Sequence, residues 1–252
     1  MSSLLKQLEP ETLQEVAARL EDRPAEEILA WALRTYKDSI VLACSFGGPT
    51  GMVLLDMIMK MAPSTPVFYL DTEFLFPETH ALIERVSQRY GFVPLAVRPE
   101  LTADQQAQQE GDRLWERNPD RCCELRKVAP QRQALAGFGA WITGLRRDQA
   151  STRRSTPVVS WDQKFGLAKV APLANWTEQQ TWNYIVEHDV PTNALHNVGY
   201  PSIGCTHCTR PVETGEDARA GRWSGTAKTE CGLHLAPRRD ATQSPESAGN
   251  HA

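Results

Sequence analysis

The chain of 252 residues contains no apolar run near the roughly 20 residues that a membrane-spanning helix requires. Its first 20 residues also lack a basic cap followed by an apolar block; acids, Gln and Lys are scattered through them. A cytoplasmic protein without a membrane partner is therefore expected. No charge of one sign dominates either, since the formal net charge is −4. That balance argues against a broad nucleic-acid surface but leaves room for a local anion pocket. Without a secretion leader, the six cysteines are poor candidates for a disulfide framework, because cytosolic thiols are kept reduced. Metal or redox chemistry is the reading left for them.

What is present fits one enzyme-sized globular domain over residues 1–234, with 41% apolar and 23% charged residues. Residues 235–252 have no periodicity and a Ser, Ala and Asn bias, which predicts a disordered tail. Helical periodicity covers 11–20, 25–36, 52–61 and 77–90, and strand-like runs cover 40–44, 67–70 and 92–97. Further on, a helix is expected from Cys122 to about Leu135, a strand at 140–143, short β segments near 157–159 and 167–170, and a Thr177-capped helix at 178–188. Strands alternating with helices predict an α/β fold with a parallel sheet and helices on both faces.

The first strand ends in Ser45-Phe46-Gly47-Gly48 and leads into a helix, which places backbone N–H groups of small residues at the positive helix end. Such a turn serves packing as readily as it serves a phosphate. No Gly-Lys-Ser or Gly-Lys-Thr follows, so it is not a Walker A loop. It resembles the phosphate loop of the ATP pyrophosphatase and adenine nucleotide α-hydrolase fold, with Pro49 and Thr50 where ATP-splitting members carry Lys and Asp. The resemblance implies a nucleotide bound without cleavage of ATP.

The cysteines fall as an adjacent pair, Cys122 and Cys123, a spaced pair, Cys205 and Cys208, and two single residues, Cys44 and Cys231. Four thiolates suit a 4Fe-4S cluster, and they also suit a tetrahedral zinc ion. Adjacent cysteines on a helix diverge, which favours the wider cluster over a single ion. Cys44 alone reads as an inert buried thiol. His80, His188, His196 and His207 show no ligand pattern.

Four motifs in order, Cys122-Cys123-Glu124-Leu125-Arg126-Lys127-Val128, Gly204-Cys205-Thr206-His207-Cys208-Thr209-Arg210, Arg219-Ala220-Gly221-Arg222-Trp223 and Thr229-Glu230-Cys231-Gly232-Leu233-His234, together resemble the assimilatory adenylyl-sulfate (APS) reductases of the sulfonucleotide reductase family. The resemblance runs from about Ile40 to His234. It implies that Cys122, Cys123, Cys205 and Cys208 hold one 4Fe-4S cluster and that Cys231 is the nucleophile. It further implies that Lys127, Arg219, Arg222 and His234 gather around the sulfate and phosphate oxygens. Ser45, Gly47, Gly48, Arg146 and Arg147 fall to the nucleotide phosphate, and the cluster ligands and catalytic segment lie within 120–234. Asp71 reads either as a nucleotide contact or as a helix cap, and Arg153 and Arg154 either as a solvated patch or as ligands.

The implied reaction reduces APS to sulfite and AMP through an enzyme S-sulfocysteine. Thioredoxin or a glutaredoxin-like dithiol supplies the electrons, in sulfate assimilation and cysteine biosynthesis. Related enzymes acting on the 3′-phosphorylated nucleotide, PAPS, typically lack both cysteine pairs; PAPS or dual use stays as the alternative, with Arg153 or Arg154 available to a 3′-phosphate. The tRNA-thiolating enzymes of the same fold would carry SGGKDS and a basic RNA-binding module, and this chain has neither. A homo-oligomer is compatible with the sequence.

Overall fold

The computed structural model describes residues 8–234; the expected tail at 235–252 lies outside the described residues. Helices α1 (Pro10–Leu20) and α2 (Ala25–Tyr36) carry acids in the first turn and arginine in the last, matching the helix dipole, and bury Leu13, Val16, Ile28 and Leu29. Strand β1 (Ile40–Ala43) leads to α3 (Pro49–Met61), β2 (Val67–Leu70) to α4 (Pro77–Tyr90), and β3 (Leu95–Val97) closes this half. After β4 (Ala140–Thr143) come β5 (Val159–Asp162), β6 (Leu167–Val170) and α9 (Glu178–Glu187).

The six strands form one sheet in the order β3-β2-β1-β4-β6-β5, parallel except for the β5–β6 pair. Alternation along β1 builds two cores. Ile40 and Leu42 join the larger cluster with residues of α1 to α4, while Val41 packs on the opposite face with Phe68, Trp141 and Leu167. Helices thus cover both faces, as the alternating pattern predicts. The strand order turns around at β1, which has β2 on one side and β4 on the other. In open α/β sheets a crevice opens at the carboxyl ends of the strands at such a point.

Three local readings differ from the structure. The third strand is confined to Leu95–Val97, because Gly91 caps α4 in the left-handed region at φ 66 and Pro94 has no N–H for a ladder. The fifth strand begins only at Val159, after Pro157, and runs to Asp162, whose Oδ1 accepts the N–H groups of Lys164 and Phe165 in the hairpin turn. The helix expected from Cys122 to Leu135 is broken into three pieces. Helix α7 (Pro119–Cys123) passes into a π-helical stretch over Glu124–Val128, with the Ala129 N–H bonded five residues back to the Glu124 carbonyl, and then into α8 (Ala129–Leu135). Pro130 offers no N–H to the preceding turn, which removes one bond of an ordinary α-helical ladder there. Two short helices between β3 and α7, Ala103–Glu110 and Leu114–Arg117, have no apolar stripe that periodicity could detect; the first is set by a Thr102–Gln105 capping box.

One buried polar knot fastens three helices. Asp56 of α3 accepts hydrogen bonds from Tyr90 at 2.9 Å and Tyr184 at 2.7 Å and pairs with Lys60 at 2.7 Å. Burial pushes its carboxyl up, but these partners outweigh burial and hold it below the ordinary value. A depressed carboxyl stabilises the fold above its unfolded pKa and loses that stabilisation as pH falls through the folded one. Asp56→Asn should lower unfolding free energy by about 1–3 kcal/mol near neutrality. It should also flatten the loss of stability below about pH 4, as read by denaturant melts across pH.

Candidate active site

The turn after β1 is tightly built. Phe46 sits at φ 52 yet is fully buried, with its ring 5.7 Å from Tyr69 and its carbonyl accepting from Asn193. Burial and this bond hold a conformation that a bulky residue rarely adopts. Ser45 accepts the Gly47 N–H at 3.4 Å, and Gly48 caps α3 with extended backbone. Across the crevice, a side chain at Gly144 would lie 3.0 Å from the Gly51 nitrogen, so glycine at 144 lets the turn after β4 press on the first turn of α3. This approach lets the buried Arg146 donate to the Thr50 hydroxyl at 2.7 Å while pairing with Asp148 at 2.9 Å.

A cavity of about 320 Å³ opens at this point, within the size range of small-molecule sites. Ser45, Gly47, Gly48 and Arg146 line one part of it, and Lys127, Arg219, Arg222, Cys231 and His234 line another. Nine of the ten residues expected at substrate or catalysis are therefore brought together. Arg147 is the exception and is a correction to the sequence reading. Its guanidinium turns away to Glu21 at 2.6 Å and to the Thr156 carbonyl at 2.8 Å, tying the loop to the end of α1. Asp71 caps its own turn, accepting the Glu73 N–H and pairing with Arg98.

The cations are held in defined seats. Arg222 lies flat on Gly204, where an added Cβ would meet its guanidinium at 2.2 Å, and stacks 4.4 Å from the Trp223 ring centre. Arg219 donates to the Thr229 carbonyl at 2.9 Å and pairs with Glu230 at 3.3 Å. His234 stacks on Trp141 with the planes 6° apart. Burial, followed by the cations Lys169, Arg153, Arg219 and Lys164, pushes its pKa well down, so the imidazole is neutral at pH 7. Its Nδ1 is buried without a partner.

Cys122, Cys123, Cys205 and Cys208 line a second, smaller cavity with Arg126 and Lys127. Lys127 and Cys205 border both cavities. Burial pulls the Lys127 ammonium down, but the sulfurs of Cys205, Cys123 and Cys231 outweigh it and raise the group above its ordinary value. Cys205 is pushed up by burial yet ends below the usual thiol range because of Lys127, the Thr72 hydroxyl at 3.4 Å and Arg222. Burial and neighbouring sulfurs push Cys122 up to about 11 and Cys208 up to about 12.

The donor set is four thiols around one small space, the ligand count of a 4Fe-4S cluster. Among the described residues no three Cys, His, Asp or Glu side chains converge closely enough to hold a single metal ion, although four thiols surround one space. Arg126 is 2% exposed and lines that space with Nε and Nη2 unpartnered. Two buried donors of a permanent cation call for an anionic acceptor. His207 stacks on Trp115 at 3.9 Å and takes part in the aromatic wall.

Two residues of the site, Gln149 and Lys169, were not singled out in the sequence, and Arg153 was left open. Arg153, read as a solvated patch or a ligand, is largely buried against Glu230 and Gln149, while Arg154 is exposed. Gln149 also donates to Thr50 at 3.3 Å, and Lys169 sits over Trp141. Their signal, a polar residue in the loop after β4 and a lysine within β6, is too common to separate from surface polarity.

A switch-point cavity with a glycine loop, a ring of cations and a thiol defines a nucleotide-binding α/β protein of the adenine nucleotide α-hydrolase-like fold. The chain belongs to the phosphoadenosine phosphosulfate reductase family, whose domain it matches over residues 39–211. It is 53% identical to the adenosine 5′-phosphosulfate reductase of Halalkalibacterium halodurans over 88% of this chain and 96% of that one. It is 47% identical to that of Salinibacter ruber over 87% of each. Among solved structures, the phosphoadenylyl-sulfate reductase of Candida auris in its phosphate complex superposes with TM-score 0.70 and 33% identity, covering 81% of this chain and 98% of that one. The FMN adenylyltransferase of Candida glabrata, at 17% identity and TM-score 0.56 over 82% of this chain and 68% of that one, shares the fold.

The two adjacent arginines should separate cleanly. Arg146→Gln should weaken nucleotide binding by about tenfold or more, as loss of a charge-assisted contact implies. Arg147→Gln should leave binding unchanged and cost less than about 1 kcal/mol of stability; AMP titration calorimetry and thermal melts check both.

Proposed function

We propose that this chain reduces adenosine 5′-phosphosulfate to sulfite and AMP, with a thioredoxin-like dithiol as electron donor and within cytoplasmic sulfate assimilation. The observation that carries the reading is the shared cavity: the Cys231 thiol faces the same space as the β1–α3 glycine loop, Lys127, Arg219 and Arg222. The relatives named for this substrate and matched over most of their length support it.

In this reading the Cys231 thiolate attacks the sulfur of the sulfate group. A sulfur–sulfur bond forms, the S–O bond to AMP breaks, and AMP leaves with the bonding pair. Lys127, Arg219 and Arg222 offset the charge on the crowded oxygens, and neutral His234 offers a hydrogen-bonding edge there. The first turn of α3, with Ser45, Gly47, Gly48 and Arg146, holds the AMP phosphate. One thiolate of the dithiol then attacks Cys231 Sγ and displaces sulfite with its electron pair. The second thiol closes the donor's disulfide and returns the Cys231 thiolate, so the dithiol supplies both electrons.

Cys122, Cys123, Cys205 and Cys208 would hold a 4Fe-4S cluster, which supplies a charged, polarisable neighbour to Lys127. Lys127, bordering both cavities, offsets the mutual repulsion of an anionic cofactor and an anionic substrate. Arg154 lies outside the cavity lining, and Arg153, which lines it, is paired with Glu230; the relatives named for adenosine 5′-phosphosulfate favour APS over PAPS.

Sulfite release by the anaerobically purified chain with reduced thioredoxin, given APS and PAPS in parallel, tests the substrate. APS should be preferred, and equal or better use of PAPS would overturn that choice. Cys231→Ser should lose at least about 10³-fold in rate while keeping any visible iron–sulfur absorption; persistence of activity would remove Cys231 from the chemistry.

A further inference from the structure

Residues 228–234 carry Cys231 without any helix or strand, and their attachment to the body is mainly polar. Lys228 reaches Asp120, Lys164 donates to the Gly232 carbonyl, and Arg219 donates to the Thr229 carbonyl. At the centre is Glu230, 3% exposed, whereas the adjoining Cys231 is partly exposed. The Glu230 carboxylate accepts Arg153 Nε at 2.9 Å on one oxygen and Arg153 Nη2 at 2.8 Å on the other. Thr152 adds a hydroxyl at 3.2 Å and Arg219 a contact at 3.3 Å. Burial pushes the carboxyl up, yet Arg153 and its neighbours hold it below its ordinary value, so it is ionised throughout the working pH range.

The partners lie outside the segment, and one leads back to the nucleotide end of the cavity. Arg153 Nη1 donates to Gln149 at 2.6 Å, Gln149 donates to Thr50, and Thr50 accepts from Arg146. We propose that Glu230 is a positioning residue for Cys231: seated in the donors of Arg153, Thr152 and Arg219, it clasps the segment closed over the cavity, and its release frees the thiol to leave. A two-toothed ion pair fixes direction as well as distance, which a lone hydrophobic contact does not.

Alkylation of Cys231 by iodoacetamide, followed by mass spectrometry of its peptide, tests the clasp without any substrate. Glu230→Gln and Arg153→Gln should each speed this labelling by about tenfold or more, as expected when a charge-assisted hydrogen bond is lost. The double variant should be no faster than the faster single one, since both remove the same interaction. A kinetic arm rests on the reaction proposed above. Glu230→Gln should lower kcat/KM for APS, while release of sulfite from preformed S-sulfo enzyme by dithiol stays equal or rises; a general packing defect would depress both. Labelling within twofold of the parent in both variants would overturn the clasp. Faster labelling in a chain that releases no sulfite would uphold it and remove only the proposed reaction.

Discussion

The close approach of the turn after β4 to the first turn of α3 is the constraint on which the rest of the site depends. A side chain at Gly144 would press on the Gly51 nitrogen at 3.0 Å, so the absence of one lets the two sides of the crevice stand close together. Across that gap Arg146 and Gln149 reach Thr50, and Arg153 reaches Gln149. Backbone geometry at Gly144 therefore bears on where the cationic wall stands relative to the phosphate-type loop.

From that wall, charge is distributed in a graded way. Arg146 is paired with Asp148, Arg153 with Glu230, and Arg147 with Glu21, so three of the four arginines that crowd residues 146–154 have carboxylate partners. Lys127 has no carboxylate partner among the described ion pairs and is flanked by sulfurs instead. An anion entering the cavity meets cations of very different availability, and the sulfur-flanked lysine borders the cysteine-lined cavity as well.

Much of the fold was legible because its signals are local. The apolar runs Ile40–Ala43 and Ala140–Thr143, the Gly47-Gly48 turn and the Thr177 cap each follow from a few neighbouring residues. The cysteine pairs and Cys231 were legible as motifs, and the fold brings them to adjoining cavities. What was not legible depends on pairing across distance. Nothing adjacent to Arg147 says that Glu21 will claim it, and nothing near Arg153 identifies Glu230, 77 residues away, as its partner. The two sequence-adjacent arginines 146 and 147 diverge for the same reason: Thr50 claims one and Glu21 the other.

The π-helical stretch at Glu124–Val128 has a further meaning in terms of descent. A turn that closes over five residues instead of four is the trace of one extra residue accommodated in an α-helix. Each residue of α-helix turns the chain by about 100°. Without that extra residue, Cys122 and Cys123 would face about a quarter-turn away from their present direction relative to α8. The aim of the adjacent thiols is thus a matter of residue count along one helix, and a lineage that lost a single position between 123 and 130 would lose that aim with its cysteines still in place.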